Sequence, residues 1–497
     1  MSTPTANAPL TDSGRETSVV HAVPKQLFVG GSWIDADGGA TFDVLDPSTG
    51  EVLCAVADAS PGDGHAALAA AVDAQEAFAA TSPRERADML TRAFELIHER
   101  LDDLALLMTL EMGKPVAEAK GEIVYAAEFL RHFAGEAVRI DGGYQVAPAG
   151  GARFLVMKQP VGPSLLITPW NFPMAMGTRK IGPAIAAGCT SVIKPAHQTP
   201  LSMLALADIL REAGVPDGVV NVITTTHAND VMEPLIRSGR ARKLSFTGST
   251  KVGRLLLEQC AQNVLRTSME LGGNAPFIVF EDADLDEAVA GAMAAKMRNM
   301  GEACTAANRI YVHESVIDEF GDRLAAKMSQ LSVGRGTEEG VNVGPLIDDA
   351  AQRKVTELVS DALAQGARVL TGGKAKDGRG FFYPPTVLTG VPAGARMSEE
   401  EIFGPVAPLT PFSTEAEAVA AANATEFGLV AYVYTNDLRR GLRVCEAIES
   451  GMVGLNQGVV SNPAAPFGGV KQSGLGREGG STGIDEFLEI KYVGLAM

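Results

Sequence analysis

Between Val161 and Val279 the chain repeats a short apolar strand followed by a helical or loop segment, and this rhythm narrows the fold more than any other feature. Strands rich in Val, Ile, Leu and Phe are predicted at 164–167, 191–193, 219–223, 244–246 and 277–279. An amphipathic helix over 201–210 lies between the second and third, closed by Gly214 and Pro216. Strands alternating with helices imply a mostly parallel sheet covered on both faces. Such sheets bind nucleotides at the carboxyl ends of their strands, so chemistry is expected in the loops that follow them.

The flanking sequence extends this plan. Residues 27–33 and 41–45 read as short strands, and a long helical section is expected from about Asp63 to Ala134. Residues 144–159 alternate like strands between glycines and read as a projecting hairpin. A second α/β rhythm runs from about Asp282 to Val470, and the tail 487–494 alternates like a strand able to join a sheet elsewhere, one in another subunit included. The first twenty residues are polar and read as a disordered leader, extended here to residue 25. At 497 residues the chain exceeds one ordinary core. A formal charge of −18 argues against a nucleic-acid partner. Five scattered cysteines suggest a reducing, cytoplasmic setting, and seven dispersed histidines show no metal-ligand spacing. No apolar run reaches the length of about 18 residues that a membrane span requires.

Several loops carry chemistry-bearing residues. Phe246-Thr-Gly-Ser-Thr-Lys-Val-Gly253 sits where a strand hands over to a helix, so Gly248, Gly253 and the hydroxyl of Ser249 suit a phosphate, although Gly-Ser-Thr is also an ordinary helix cap. Thr168-Pro-Trp-Asn-Phe-Pro173 follows a strand, and two prolines fix Trp170 and the amide of Asn171, a donor suited to a developing oxyanion. Glu270, between Met269 and Leu271, is an acid in apolar surroundings, which raise a carboxylate's pKa toward that of a general base; a structural salt bridge competes. Lys194, at a third strand end, can meet ribose or phosphate oxygens. Glu401 and Phe403 flank a Gly-Pro turn. Cys304 lies in a loop of small residues, Gly301, Ala303, Ala306 and Ala307, that leaves its thiol little cover, with Arg298 six residues earlier. A free cysteine is more often a packed small hydrophobe than a nucleophile.

In order and spacing, these Pro-Trp-Asn, Gly-Ser-Thr, Glu-Leu-Gly-Gly, cysteine-loop and Glu-Ile-Phe-Gly-Pro elements resemble the aldehyde dehydrogenase family, from about residue 26 to the C-terminus. The resemblance implies an α/β fold with a Rossmann-type cofactor domain (26–139 and 160–272), an α/β catalytic domain (273–470) and a small β oligomerisation element (140–159 and 480–497). It also implies that Cys304 attacks an aldehyde as a thiolate, that Asn171 and the Cys304 backbone N–H hold the oxyanion, and that Glu270 activates the hydrolytic water. Trp170, Lys194, His197, Gly248, Ser249, Gly253, Leu271, Glu401 and Phe403 would bind NADP or NAD. No metal is implied. A cytoplasmic homodimer or homotetramer is expected.

Within the family the chain is most similar to succinate-semialdehyde dehydrogenases, in 242–250, 270–278 and 471–479, which implies a place in GABA catabolism. Arg179, Arg298 and Ser461 match the positions that bind the substrate's second carboxylate, a task for which a planar guanidinium fork is suited. Three departures stand out. His197 occupies the place where many NAD-preferring relatives carry Glu, which removes repulsion toward a 2'-phosphate and points to a preference for NADP. Ala306 replaces a second cysteine, so a redox disulfide there is not expected. Glu302 replaces Gln and adds negative charge two residues before Cys304; its role is open, a raised Cys304 pKa being one effect that a nearby like charge could have. Glutarate semialdehyde remains an alternative substrate, because one methylene gives only about 1–3 kcal/mol of discrimination. A cysteine hydrolase lacks a matching His, a CoA-acylating enzyme would normally lack Glu270, and a non-catalytic binder on this fold is the remaining class.

Overall fold

The structure, a computed structural model, describes residues 12–496. Its first sheet has eight strands in the order Gly474–Leu475, Arg266–Glu270, Lys243–Thr247, Ser164–Ile167, Ser191–Lys194, Val220–Val222, Leu27–Val29, Ser32–Ile34. The central five are parallel, in register from Lys243↔Ser164 and Ser164↔Ser191 outward. From Ser164–Ile167 the chain winds one way through Ser191–Lys194 and Val220–Val222, then returns to place Lys243–Thr247 on the other side. The strand order therefore reverses between Ser164–Ile167 and Lys243–Thr247, and a crevice opens at that point.

The second sheet has seven strands in the order Arg368–Thr371, Thr386–Thr389, Val406–Phe412, Ala307–His313, Ala275–Val279, Val430–Tyr434, Met452–Leu455. All its pairings are parallel except that of the first two strands. Glu270 ends a strand of the first sheet and Ala275 begins one of the second, so the segment between them joins carboxyl ends to amino ends. Four helices, Pro61–Ala79, Pro83–Glu99, Leu101–Met112 and Val116–Ala137, stand where one long helical section was predicted. Ser60 and Ser82 each close a capping box with Pro at the first turn, and Gly113 turns left-handed at φ 95° before Pro115. Local start and stop signals thus override the continuous apolar spacing.

The helix Ala175–Ala187 is buried along its whole length, which brings Arg179 and Lys180 into the interior. The third sheet pairs Leu488–Ala496 with Ala152–Pro160 over nine residue pairs, and Ala152–Pro160 with Gly143–Val146. The tail strand therefore joins the hairpin of its own chain. Tyr144, Val146, Ile490 and Tyr492 remain exposed on this sheet. The expected leader needs correction. Residues 1–11 lie outside the described residues, but Asp12–Ala22 is a helix, and Val19, Val20 and Val23 are buried against the core. Apolar residues at that spacing outweigh the polar composition around them.

Candidate active site

A cavity of about 290 Å³ opens at the reversal point of the first sheet. Its walls come from loops after first-sheet strands (Pro169–Phe172, Thr247–Ser249, Leu271–Gly272) and from loops before second-sheet strands (Cys304–Thr305, Glu401, Phe403). Arg179, Arg298, Ser461, Tyr125 and Phe467 close another part of the wall. The structure thus brings together Cys304, Asn171, Trp170, Gly248, Ser249, Leu271, Glu401, Phe403, Arg179, Arg298 and Ser461 around one space.

The Cys304 loop is set by backbone strain. Asn299, Met300 and Gly301 are all left-handed, at φ 54°, 54° and 78°. For a methionine this conformation is disfavoured and persists only where the surroundings hold it. Gly301 is required there, since a Cβ would come 2.2 Å from the Gly404 carbonyl oxygen. The Asn171 side chain donates from Nδ2 to the Glu302 carbonyl at 2.9 Å, and its Oδ1 accepts from the Phe172 N–H at 3.1 Å. Burial pushes the Cys304 thiol up to about 12; Arg179 and Arg298 pull it down while Glu401 and Glu270 push it further up. The resting thiol is therefore protonated.

Glu270 is buried behind the cavity, and its Oε2 has no hydrogen-bond partner among the described residues. Burial, then the charge of Glu478, holds its carboxyl well above the usual range, against Arg179, Lys180 and Arg477. Glu478 ion-pairs with Arg179 Nε at 2.6 Å and with Lys180 Nζ. Burial favours its neutral form, but Lys180 and Arg179 win, and its pKa lies below the usual value. The pKa values of two buried carboxyls are thus driven in opposite directions, Glu270 up and Glu478 down, the arrangement that separates acid and base roles.

Arg179 is buried and also stacks on the Phe467 ring, 4.2 Å from its centroid. Its Nη2 lacks a hydrogen-bond partner among the described residues. Arg298 donates from Nη1 to Ser461 Oγ at 3.1 Å and lies over the rings of Phe172 (4.9 Å) and Tyr125 (5.6 Å). Among the described residues Arg298 makes no ion pair within 4.0 Å. Arg179 is already matched by Glu478, whereas Arg298 has, among the described residues, no carboxylate in contact and only Glu118 acting on it from nearby. An anionic group on a ligand is what this end of the cavity lacks.

The nucleotide side also fits its expected occupant. Ser249 caps the helix Thr250–Ala261, its hydroxyl accepting from the Val252 N–H at 3.4 Å. Thr247 Oγ1 and Thr168 Oγ1, at the carboxyl ends of neighbouring strands, are buried without hydrogen-bond partners among the described residues. Open hydroxyls beside helix-terminal amides at a strand-order reversal suit the pyrophosphate of a dinucleotide. Trp170 and Phe403 meet edge to face at 5.3 Å, and Phe403 itself is left-handed at φ 55°. Glu401 Oε1 accepts from the Gly273 N–H at 3.2 Å, and burial raises its pKa to about 7. Lys194 and His197 do not line the cavity. The Lys194 ammonium donates to the Pro195 carbonyl at 2.8 Å and is lowered by burial to about 8. Burial and then Lys194 lower the His197 imidazole, which is neutral near pH 7. Gly253 lies beneath Leu271, where a Cβ would meet Leu271 Cδ2 at 2.4 Å, so it serves packing between helix and loop rather than lining the cavity.

Glu302, whose role the sequence left open, bonds to the backbone of a neighbouring loop. Its carboxyl turns away from Cys304, accepts from the Ile347 N–H at 3.1 Å, and is held well above the usual range by burial. It is absent from the charges that act on the Cys304 thiol. Tyr125 and Glu478 went unread: Tyr125 sits mid-helix with no local signal, and Glu478 lies inside the quoted 471–479 motif without an assigned role.

Residues 33–493 match the sequence pattern described as the aldehyde dehydrogenase family. The chain is 58% identical over 445 residues to a succinate-semialdehyde dehydrogenase of Paenarthrobacter nicotinovorans, covering 90% of this chain and 99% of that one. It is 52% identical over 469 residues to a glutarate-semialdehyde dehydrogenase of Pseudomonas putida, covering 94% and 97%. A crystal structure described as an E. coli NADP-dependent enzyme superposes with a TM-score of 0.95 at 52% identity, covering 98% of this chain and 100% of that chain. With a cysteine, an amide donor and a high-pKa glutamate gathered at a dinucleotide crevice, and with these relatives, the chain belongs to the aldehyde dehydrogenase family.

Proposed function

We propose that the protein oxidises succinate semialdehyde to succinate, with NADP+ preferred over NAD+. The observation that carries this reading is the unmatched guanidinium of Arg298, bonded to Ser461 and facing the same cavity as the Cys304 thiol. A substrate with an aldehyde at one end and a carboxylate at the other satisfies both. The relatives named for succinate and glutarate semialdehyde share that chemistry, and glutarate semialdehyde is the alternative substrate.

In this mechanism Arg298, Ser461, Tyr125 and Arg179 Nη2 take the carboxylate and orient the aldehyde. The Cys304 thiol gives its proton to solvent water as Sγ adds to the carbonyl carbon, and the developing oxyanion faces the Asn171 amide. NADP+ or NAD+, held by Ser249, Gly248, Thr247, Lys194, Glu401 and Phe403, supplies the hydride acceptor. Glu270, once ionised, takes a proton from the water that opens the Cys304 thioester and releases the acid. Its raised pKa makes it a better proton acceptor than an exposed carboxylate. Because His197 is neutral, acceptance of a 2'-phosphate rests on the missing carboxylate and on Lys194. On the same reading, 26–139 with 160–272 binds the cofactor and 273–470 carries the catalytic cysteine. The exposed apolar sheet of 143–160 and 488–496 joins copies of the chain into a homo-oligomer. The expected setting is the cytoplasm and GABA catabolism.

A kinetic panel of succinate, glutarate and malonate semialdehydes with both cofactors tests the proposal. The highest kcat/KM is expected for succinate semialdehyde with NADP+. Equal activity on aldehydes without a carboxylate contradicts it.

A further inference from the structure

Asn299 ties the two halves of the reaction site together. Its Nδ2 donates to the Asn171 carbonyl at 3.0 Å and to the Glu302 carbonyl at 2.9 Å. The same Glu302 carbonyl accepts from Asn171 Nδ2 at 2.9 Å. One buried amide thus links the loop with the oxyanion donor to the loop with the nucleophile, two residues before Cys304. Asn299 begins the left-handed run 299–301, a conformation that needs an external hold.

That hold comes from the helix Val116–Ala137. Both carboxyl oxygens of Glu118 accept from the Asn299 N–H, at 3.3 and 3.1 Å. Lys114, four residues earlier, donates to the Asn171 carbonyl at 2.8 Å and ion-pairs with Glu122. Glu122 in turn accepts from the Met174 and Ala175 N–H groups at 3.1 and 3.2 Å, at the far end of the Asn171 loop. Glu118 touches neither the cavity nor Cys304.

We infer that Glu118 is a positioning residue: by gripping the Asn299 N–H it keeps the Asn171 amide and the Cys304 thiol in one fixed relation. The role depends on the acceptor oxygens, not on charge. Glu118 also lies near Arg298 and Lys114, so a role as counter-charge to the substrate-binding arginine is the competing explanation. The two separate kinetically. Loss of positioning weakens the transition state and lowers kcat, because small displacements of reacting groups are costly. Loss of a counter-charge changes the KM of a carboxylate-bearing substrate alone.

The test compares Glu118→Ala, Glu118→Gln and Asn299→Gly in the full-length protein, with succinate semialdehyde and with propanal as an aldehyde lacking the carboxylate. Asn299→Gly keeps the left-handed turn but removes the bridging amide. Glu118→Ala and Asn299→Gly are expected to lower kcat about tenfold or more on both aldehydes, with KM for the semialdehyde within about threefold. Glu118→Gln, which retains one acceptor, is expected to hold kcat within about threefold of the parent. Wild-type kcat in Asn299→Gly overturns the inference, as does a Glu118→Gln loss equal to that of Glu118→Ala or an effect confined to KM. Should Glu118→Ala not fold, the other two variants decide. The inference rests on the oxidation proposed above, so a second readout is independent of turnover. Alkylation of Cys304 by iodoacetamide, followed by mass spectrometry, should be faster in Asn299→Gly than in the parent, and an unchanged rate counts against the clamp. A parent protein inactive on every aldehyde sinks the oxidation instead.

Discussion

Arg298→Met should separate substrate recognition from chemistry. Arg298 bonds to Ser461 Oγ at 3.1 Å and stacks on Phe172, yet among the described residues it has no ion pair, whereas Arg179 is matched by Glu478 at 2.6 Å. A substrate carboxylate therefore becomes the counter-ion of Arg298. A hydrogen bond to a charged group contributes about 1.5–3 kcal/mol, and each 1.4 kcal/mol is a factor of about ten, so kcat/KM for succinate semialdehyde should fall about 10- to 150-fold. The carboxylate is bound equally in ground and transition states, so the loss should appear in KM with kcat nearly unchanged. Methionine keeps an apolar side chain against Phe172, so kcat/KM for propanal should stay within about threefold of the parent. Initial rates of NADPH formation at 340 nm measure both. An equal loss on the two aldehydes, or none on the semialdehyde, would refute the carboxylate assignment.

The pH profile follows from Glu270. Burial and then Glu478 raise its pKa above the ordinary carboxylate range, so its base function, present only in the ionised form, is gained as pH rises through that raised value. Thioester hydrolysis, measured by single-turnover kinetics, should accelerate with pH in the parent and lose this dependence in Glu270→Gln. The same variant should slow that step about 10²- to 10⁴-fold and leave a burst of NADPH; a pH-independent parent or a full-speed variant speaks against the role. His197→Glu restores a carboxylate near Lys194, and the ratio of kcat/KM for NADP+ over NAD+ should fall about tenfold. An unchanged ratio would place cofactor choice elsewhere.

Much of this site was readable because its parts lie in short loops at strand ends. The strand over 164–167 appears as read, and Pro169–Asn171, Gly248–Ser249 and Cys304 line the crevice between the sheets. What stayed hidden depends on direction and on distant neighbours. Glu302 is two residues from Cys304 in sequence, yet its carboxyl points to Ile347, because the left-handed turn before it sets the chain's course. Gly253 read as room for a phosphate but makes room for Leu271. The helix at Asp12–Ala22 was lost to composition, since its two buried valines, Val19 and Val20, are few among polar neighbours. Glu478 gains meaning only when the chain returns it to Arg179 and Lys180, far apart in sequence and adjacent in space.

The central claim, oxidation through a thioester on Cys304, is tested most directly by NADPH formation from succinate semialdehyde in the parent and in Cys304→Ala. The parent should turn over, while the variant should bind NADP+ with unchanged affinity yet form no NADPH, its catalytic rate falling to background. NADPH formation by Cys304→Ala at a rate near the parent's would contradict the claim.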